Sequence, residues 1–196
     1  MIKIVATPFL RYDRVYPVEC DPVERFFRAT RVARHRLYVR RSAAGGQFEG
    51  GPERSAKNEV VQRRTAAIAQ SDGFAFITPE YNYGPPAVLK NAIDWVYPEW
   101  NRKAAGFVSY GSVMGARGVQ QLRQTAIELQ LAPIRSSLHI PVATLWAHYR
   151  GGDVEAGLAE LEAPARAMID DLLWWTAALK TARVGASWAP APPRRL

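Results

Sequence analysis

Along the middle of the chain, short apolar runs alternate with stretches in which apolar residues recur every three or four positions. The apolar runs are typical of strands covered on both faces, and the spaced pattern is typical of amphipathic helices. We predict strands at Lys3–Ala6, Phe74–Thr78, Ala104–Gly111 and Ile140–Trp146. Strands that alternate with helices indicate βαβ units, so the pattern predicts an α/β fold with a parallel sheet and helices on both faces.

The helices are predicted from the same periodicity and from residues that favour helix ends. Asp21 followed by a proline is a good helix start and predicts a helix that continues to about Val39. Further helices are predicted over residues 57–70, 86–97, 119–131 and 154–183, the last with a break near Pro164. In the helix over residues 86–97, one apolar stripe is expected to contain Val88, Leu89, Ala92, Trp95 and Val96.

Length and composition limit the number of domains and the class of protein to be expected. A chain of 196 residues is long enough for one α/β domain with a full core, and we assign residues 1–184 to it. Residues 185–196 are rich in proline and are predicted to be a disordered tail. No stretch is apolar enough for a membrane helix and the first residues lack the features of a secretion signal, so a soluble cytoplasmic protein is expected.

The charge and the potential metal ligands exclude several classes of function. Arginines account for the net charge of +8, but they crowd residues 25–41 and the tail, so we expect neither a nucleic-acid nor a membrane partner. The single Cys20 excludes an intrachain disulfide, and His35, His139 and His148 show no metal-ligand spacing. The sequence therefore predicts no metal site.

Two unusual loops follow two of the predicted strands. "TPEYNYG" comes after the strand at Phe74–Thr78, and "SYGSVMGARG" comes at the end of the next one. In an open parallel sheet, ligands bind at the carboxyl ends of the strands, so both loops fall on the ligand-binding edge. Their prolines stiffen the approach, their glycines let a flat ring come close, and the amides of the following helix start are expected to hold a phosphate or an electron-rich ring edge.

These loops and their surroundings resemble a known family. "DGFAFITPEYNYGPPAVLKNAIDW" followed by "NRKAAGFVSYGSVMGARGVQQLR" is similar to the flavodoxin-like NAD(P)H-dependent FMN reductases, over about residues 57–135. The resemblance implies a flavodoxin-like, doubly wound parallel sheet, FMN as cofactor and NAD(P)H as co-substrate. Carried over by position, it implies that the flavin is contacted by Pro79, Glu80, Tyr81, Asn82, Ser109, Tyr110, Gly111 and Gly115. The family usually has two adjacent glycines where this chain has Met114 and Gly115.

The resemblance also implies an activity, namely hydride transfer from NAD(P)H through the flavin to quinone-like or other small-molecule electron acceptors. The flavin performs the chemical step, so no catalytic acid or base is assigned among the side chains.

Several residues have a structural role as an alternative to ligand binding. Tyr81 and Tyr83 are either ring contacts or packing aromatics, and the Pro-Glu-Tyr-Asn segment is either a ligand loop or a capped turn. Arg117 either binds the phosphate of the nicotinamide nucleotide or is a solvated arginine at a helix start. The remaining candidates for helix, core or subunit contacts are Asn91, Asp94, Trp95, Trp100, Trp174 and Trp175.

The first third of the chain departs from the family pattern. After the first predicted strand the chain reads "TPFLRYDRV", whereas the family has a Gly-Ser-x-Arg phosphate loop there. Either the phosphate loop has been lost, or residues 5–55 are translated out of frame. Their arginine richness and the return of the family pattern near Lys57 favour the second explanation. The alternative function is then a non-catalytic α/β protein with a broken flavin phosphate site, such as a basic interaction module.

The two explanations predict different structures for this segment. If it is native, we expect the first strand to lie centrally in the sheet and Arg11 or Arg14 to hold the flavin phosphate. If it is out of frame, apolar side chains such as Phe26, Phe27 and Phe48 are expected to be exposed.

Aromatic residues near the predicted site indicate self-association. Trp95 and Tyr97 lie at the end of the helix after the first loop, and Trp100 follows it. Together they form more aromatic surface than one small domain is expected to bury. We therefore predict a homodimer or a homotetramer.

Overall fold

The strands form a parallel sheet whose order matches that of flavodoxin. The structure is a computed structural model and describes residues 59–185 together with the backbone of residues 3–8 and 33–34. The strands in these ranges are β1 (Lys3–Pro8), β2 (Ala33–Arg34), β3 (Gly73–Pro79), β4 (Ala104–Tyr110) and β5 (Ala132–His139). They pair in parallel in the order β2-β1-β3-β4-β5, which is the flavodoxin-like doubly wound order. The predicted fold class is confirmed.

The helices of the described residues connect and cover these strands. They are α1 (Glu59–Ala69), α2 (Ala87–Asp94), α3 (Ala116–Glu128), α4 (Val142–Tyr149), α5 (Glu155–Ala159) and α6 (Glu162–Gly185), with a short 3-10 helix at Pro98–Trp100. The helix predicted from Asp21 to Val39 is wrong at residues 33 and 34, which form β2, and its remainder lies outside the described residues. Of the predicted tail, only Gly185 is described, and it ends α6.

The predicted strand at Ile140–Trp146 is wrong. The fifth strand is β5, in which only Ile134 and Leu138 are fully buried, so its sequence is not a continuous apolar run. The apolar run after it forms α4 instead, with Pro141 at its N-cap position. An edge strand needs fewer apolar side chains than a central strand, and this is why periodicity did not find it.

Two details of the predicted helices also need correction. The predicted break in the helix over residues 154–183 is present, but it lies at residues 160–161, between α5 and α6, and not at Pro164. Pro164 lies in the first turn of α6, where a proline breaks no hydrogen bond. In α2, Val88 is 53% exposed and Ile93 is buried, so the apolar face of this helix contains Ile93 and not Val88.

Side chains of β3 and β4 alternate between two apolar layers. On one face, Phe74 and Phe76 of β3 belong to a cluster that includes residues of α1, α2 and α3. On the other face, Ala75 and Ile77 pack with β5 and with α6, which contributes Ala165, Met168, Ile169 and Leu172. Both central strands are therefore buried on both faces, as their apolar sequences predict.

The sheet brings the predicted loops to one edge. Thr78 pairs with Ser109, and Pro79 with Tyr110, so β3 and β4 end side by side. β1 lies between β2 and β3, which is the position expected for this strand if the first third is native. The loop after Pro8 and the side chains of Phe26, Phe27 and Phe48 lie outside the described residues, so both explanations of that segment stay open.

Candidate functional site

The two predicted loops are in direct contact. We call residues 80–86 the Tyr81 loop and residues 111–115 the Gly111 loop. The backbone N–H of Glu80 donates to Tyr110 O at 2.9 Å, and a Cβ added to Gly111 would lie 3.3 Å from the Cβ of Glu80. The parallel pairing of β3 and β4 thus brings together the two sets of residues that the family resemblance assigns to the flavin.

The Tyr81 loop is a tight turn that presents aromatic side chains. Tyr81 and Gly84 exchange backbone hydrogen bonds of 2.9 and 3.0 Å, while Asn82 and Tyr83 have φ angles of 48° and 76°. This is the conformation of a type I′ turn, which asparagine tolerates and which strains tyrosine. Tyr81 is 46% exposed and Tyr83 is 61% exposed. Neither tyrosine is therefore a buried packing aromatic in this chain, and the segment does not cap α2, because Pro86 occupies the N-cap of that helix.

The carboxylate of Glu80 is turned away from solvent and binds the start of α3. Its Oε2 accepts hydrogen bonds from the backbone N–H groups of Arg117 and Gly118 at 3.0 and 3.3 Å. Its Oε1 accepts from Arg117 Nε at 2.6 Å and forms an ion pair with the same guanidinium. The Glu80 side chain is 3% exposed. A carboxylate at the positive end of a helix is stabilised by the helix dipole as well as by these donors.

This arrangement changes two expectations from the sequence. The first amides of α3 bind the protein's own carboxylate, so these two amides are not available for a phosphate or a ring edge. Arg117 is more than a solvated arginine at a helix start, since it pairs with Glu80 and its guanidinium lies 4.6 Å from the centre of the Tyr83 ring. That it binds the phosphate of the nicotinamide nucleotide stays a prediction. Glu80 and Arg117 therefore fasten the Tyr81 loop to α3.

The Gly111 loop folds back onto the end of β4. Gly115 has a φ angle of 76°, and a Cβ at this position would lie 2.6 Å from the Cβ of Ser109 and 2.8 Å from Tyr110 N. Only glycine fits there. Met114, which stands where the family usually has a second glycine, adopts a left-handed conformation with φ 54° and is 41% exposed. The backbone thus takes the shape that suits glycine although the residue is methionine.

A histidine that the sequence did not single out for the site supports this loop. His139 ends β5 beside Ser109, and its Nδ1 lies 2.7 Å from Ser109 Oγ. Burial lowers the pKa of His139, the carbonyl of Met114 opposes this effect, and the nearby charge of Arg123 adds to it. No sequence signal identifies this contact, because it depends on the register between β4 and an edge strand.

The eight predicted site residues divide into exposed and buried groups. Tyr81 and Asn82 are exposed, and Gly111 is half-buried. The positions that shape the loops from beneath are Pro79, Ser109, Tyr110 and Gly115, all of them buried, together with the buried carboxylate of Glu80. Ligand contacts at this edge are therefore available from the first group, whereas the second group determines the loop conformations.

The arrangement fits a planar ring that accepts hydrogen bonds. Ser112 and Val113 are exposed, and in the part of the chain that the structure describes, no group accepts a hydrogen bond from their backbone N–H groups. Backbone donors beside small residues and exposed aromatic side chains are typical of sites for flat heterocycles. In residues 59–185, no group of three histidine, cysteine or acidic side chains is placed to hold a metal ion, and no helix there is long and apolar enough to cross a membrane.

The residues expected to make other contacts are also placed. Asp94 pairs with Lys90 at 2.8 Å within α2, which is a helix contact. Trp100 is 2% exposed and packs edge-on against Phe74 in the core. Trp174 and Trp175 are 65% and 40% exposed, so they do not belong to the core of this chain.

Comparisons with known proteins identify the family of this chain. A family model described as NADPH-dependent FMN reductase matches residues 28–144. An NAD(P)H-dependent FMN reductase of Schizosaccharomyces pombe is 46% identical over 76 residues, which is 38% of this chain and 38% of that protein. A quinone reductase of Escherichia coli is 40% identical over 76 residues, or 36% of this chain and 40% of that protein. The matched stretch thus spans well under half the length of these relatives.

A solved structure supports the fold. The flavoenzyme NAD(P)H:(acceptor) oxidoreductase FerB from Paracoccus denitrificans superposes with a TM-score of 0.66 and 22% sequence identity, over 88% of this chain and 98% of that one. An oxidoreductase from Corynebacterium diphtheriae gives a TM-score of 0.55 at 11% identity, over 91% of this chain and 96% of that one. Because the family model covers more than half of the residues, the chain belongs to the NADPH-dependent FMN reductase family.

Proposed function

We propose that this protein binds FMN at the edge formed by the Tyr81 loop and the Gly111 loop, and that it passes hydride from NAD(P)H to a quinone-like or other small-molecule acceptor. The observation that carries the proposal is the contact between the two loops, which places exposed tyrosines beside exposed backbone donors. The names of the relatives in Schizosaccharomyces pombe and Escherichia coli support the same activity. When bound, FMN supplies the hydride-transfer chemistry.

The chain's own residues have binding and shaping roles in this proposal. Tyr81, Asn82 and Gly111 contact the ring, and the backbone N–H groups of Ser112 and Val113 donate to its electron-rich edge. Pro79, Ser109, Tyr110 and Gly115 set the shape of the loops beneath it. Glu80 acts on the ring only indirectly, because its carboxylate is committed to α3. No side chain is proposed as a general acid or base.

The phosphate of FMN is expected to bind near the segment that follows β1. β1 ends at Pro8 beside Ile77 of β3, so the chain that follows leaves the sheet at the edge where the two loops lie. Arg11 or Arg14 in that segment is our candidate for the phosphate partner, as a guanidinium that replaces backbone amides.

Flavin titration tests the proposal. The purified protein is expected to bind FMN, measured by quenching of flavin fluorescence, and to oxidise NADH or NADPH when benzoquinone is the acceptor. Gly115→Ala is expected to weaken FMN binding at least about tenfold, because its Cβ would overlap the end of β4. Gly185→Ala is the matched control, since a Cβ there meets nothing within 4 Å. Failure of the wild-type protein to bind FMN would favour the alternative, a non-catalytic α/β protein with a broken flavin site.

A comparison of FMN with riboflavin tests whether the first third of the chain supplies a phosphate site. If Arg11 or Arg14 binds the phosphate, alanine at both positions lowers the affinity for FMN and leaves that for riboflavin unchanged. Equal affinities of the wild-type protein for FMN and riboflavin would instead indicate that no phosphate site is present.

We further propose that the protein is a homodimer or a homotetramer and acts in the cytoplasm. Tyr97 is 46% exposed and Trp95 is half-buried, which supports a subunit contact near the proposed ring site, although Trp100 is already buried within one chain. Light scattering at micromolar concentration is expected to give at least the mass of a dimer, and a monomer alone would contradict the proposal.

A further inference from the structure

Two hydrogen bonds in series connect the end of β5 to the Gly111 loop. Ser109 Oγ lies 2.8 Å from Met114 O and 2.7 Å from His139 Nδ1, and Ser109 is completely buried. A carbonyl oxygen only accepts hydrogen bonds, so the single hydroxyl hydrogen of Ser109 goes to Met114 O. The remaining contact is then satisfied only if His139 Nδ1–H donates to Ser109 Oγ. This assignment requires the Nδ1–H tautomer of the neutral imidazole.

The Gly111 loop needs such a support because its conformation is unfavourable for its sequence. Met114 has a side chain yet adopts a left-handed backbone conformation, which only glycine adopts without cost. Inside the loop, Met114 N donates to Gly111 O at 3.0 Å. The Ser109 hydroxyl provides the bond that ties the Met114 carbonyl to β4, next to the glycine that packs on Ser109.

The position of His139 is itself fixed by neighbouring elements. The ladder between β4 and β5 is irregular between Ala105 and Phe107, and Arg123 of α3 binds β5 at this region. Its guanidinium donates to Ile134 O, to Arg135 O at 2.9 Å and to Ser137 Oγ at 2.7 Å. Ile140 N donates to Ser109 O at 2.8 Å on the other side of His139. The imidazole is therefore held beside Ser109 by the backbone on both sides of it.

We propose that His139 is a positioning residue for the flavin site. Through the Ser109 hydroxyl it holds the Met114 carbonyl, and it thereby keeps the Gly111 loop in the shape that exposes the backbone N–H groups of Ser112 and Val113. The inference rests on the proposed function, since it assumes that these groups bind the ring of FMN. His139 does not touch the ring and takes no part in hydride transfer.

Binding measurements on five variants, one of them a control, test the inference. His139→Phe keeps a planar ring and removes the donor, so the affinities for FMN and for riboflavin are expected to fall about three- to tenfold, by equal factors, because the ring and not the phosphate is affected. His139→Asn keeps a donor near the position of Nδ1 and is expected to restore most of the loss. Ser109→Ala is expected to match His139→Phe, and the double variant Ser109→Ala/His139→Phe is expected to bind no more weakly than either. His148→Phe, in α4, is the control and is expected to bind like the wild type.

A measurement without flavin makes the two proposals distinguishable. Long-range 1H–15N spectra of the wild-type protein are expected to show His139 as the Nδ1–H tautomer, and Ser109→Ala is expected to release it into a mixture of tautomers. An Nε2–H tautomer in the wild type, or equal flavin binding by His139→Phe and His148→Phe, would overturn the inference. Failure of the wild type to bind any flavin would overturn it too, as part of the proposed function, but the expected tautomer would then still show that the hydrogen-bonded chain exists.

Discussion

Single residues with unusual backbone angles concentrate at the candidate site. Among the described residues, the non-glycine positions with left-handed angles are Asn82, Tyr83, Arg102, Met114 and Gln130. Three of them lie in the Tyr81 and Gly111 loops. Strained backbone persists only where surrounding contacts hold it, and it is found preferentially at ligand sites. At Tyr83 those contacts are visible, since Gln121 donates to its carbonyl at 2.9 Å and Arg117 lies on its ring.

Glycine at position 114 is expected to stabilise the protein. Met114→Gly removes the steric cost of the left-handed conformation and should raise the free energy of unfolding by up to about 1 kcal/mol, after the entropic cost of glycine in the unfolded chain. Urea denaturation measures the change. Gln130→Gly is the control for the backbone effect, because Gln130 has a φ of 57° at the end of α3. Both variants should gain stability, and a loss in Met114→Gly alone would show that the methionine side chain contributes packing.

At the scale of elements, the start of α3 depends on a side chain from a different loop. Gly115 precedes α3, and no side chain of its own segment caps it. Glu80 supplies the missing acceptor from the end of β3. The contact joins α3 to the Tyr81 loop, so the stability of the helix and the shape of the loop depend on the same carboxylate.

Removing that carboxylate is expected to be costly. Glu80→Gln keeps the shape of the side chain but loses its charge, and it should lower the free energy of unfolding by about 2 kcal/mol, because charge-assisted hydrogen bonds in a buried site are lost. Glu162→Gln breaks the exposed pair with Arg166, whose side chains are 65% and 63% exposed, and it should change stability by less than about 0.5 kcal/mol. Urea denaturation compares the two, and equal effects would contradict the role assigned to Glu80.

Strands were predictable from the sequence where both of their faces are buried, because such strands consist of continuous apolar residues. β3 and β4 are covered on both faces and read as continuous apolar runs, so their positions, and hence the positions of the two loops, follow from the sequence. β5 is an edge strand with mixed burial, and its sequence pattern is not distinctive. The contacts of Glu80 and His139 were not predictable, because they depend on the register and separation of β3, β4, β5 and α3 in space.

At the scale of the whole molecule, a buried lysine links stability to pH. Lys103 is 6% exposed, and its Nζ donates to Ile68 O and Ala69 O at 2.7 and 3.1 Å, at the end of α1. Burial, with a smaller contribution from Arg183, lowers its pKa to about 8, although Asp72 and Glu99 act in the opposite direction. Between this value and the ordinary pKa of 10.5, the unfolded chain holds more protons than the folded one.

Stability due to Lys103 is therefore expected to rise with pH through that window. The free energy of unfolding of the wild type, relative to Lys103→Met, should be constant below about pH 8 and should increase by up to about 3 kcal/mol towards pH 10.5. Urea denaturation at several pH values measures the difference between the two proteins. A difference that falls as the pH rises would show that the folded state favours the charged amine.

The long distance along the chain between Asp72 and its two ion-pair partners has a consequence for biosynthesis. Asp72 precedes β3, but its cations are Lys180 and Arg183, and α6 also covers the second face of β3 and β4. As the chain emerges from the ribosome, Asp72 is made 108 and 111 residues before Lys180 and Arg183, and β3 and β4 are complete before α6 begins. During that interval Ala75, Ile77 and Val108 lack the apolar partners that α6 provides. We therefore expect the nascent chain to be prone to aggregation until α6 is complete, and protection by chaperones to matter most before that point.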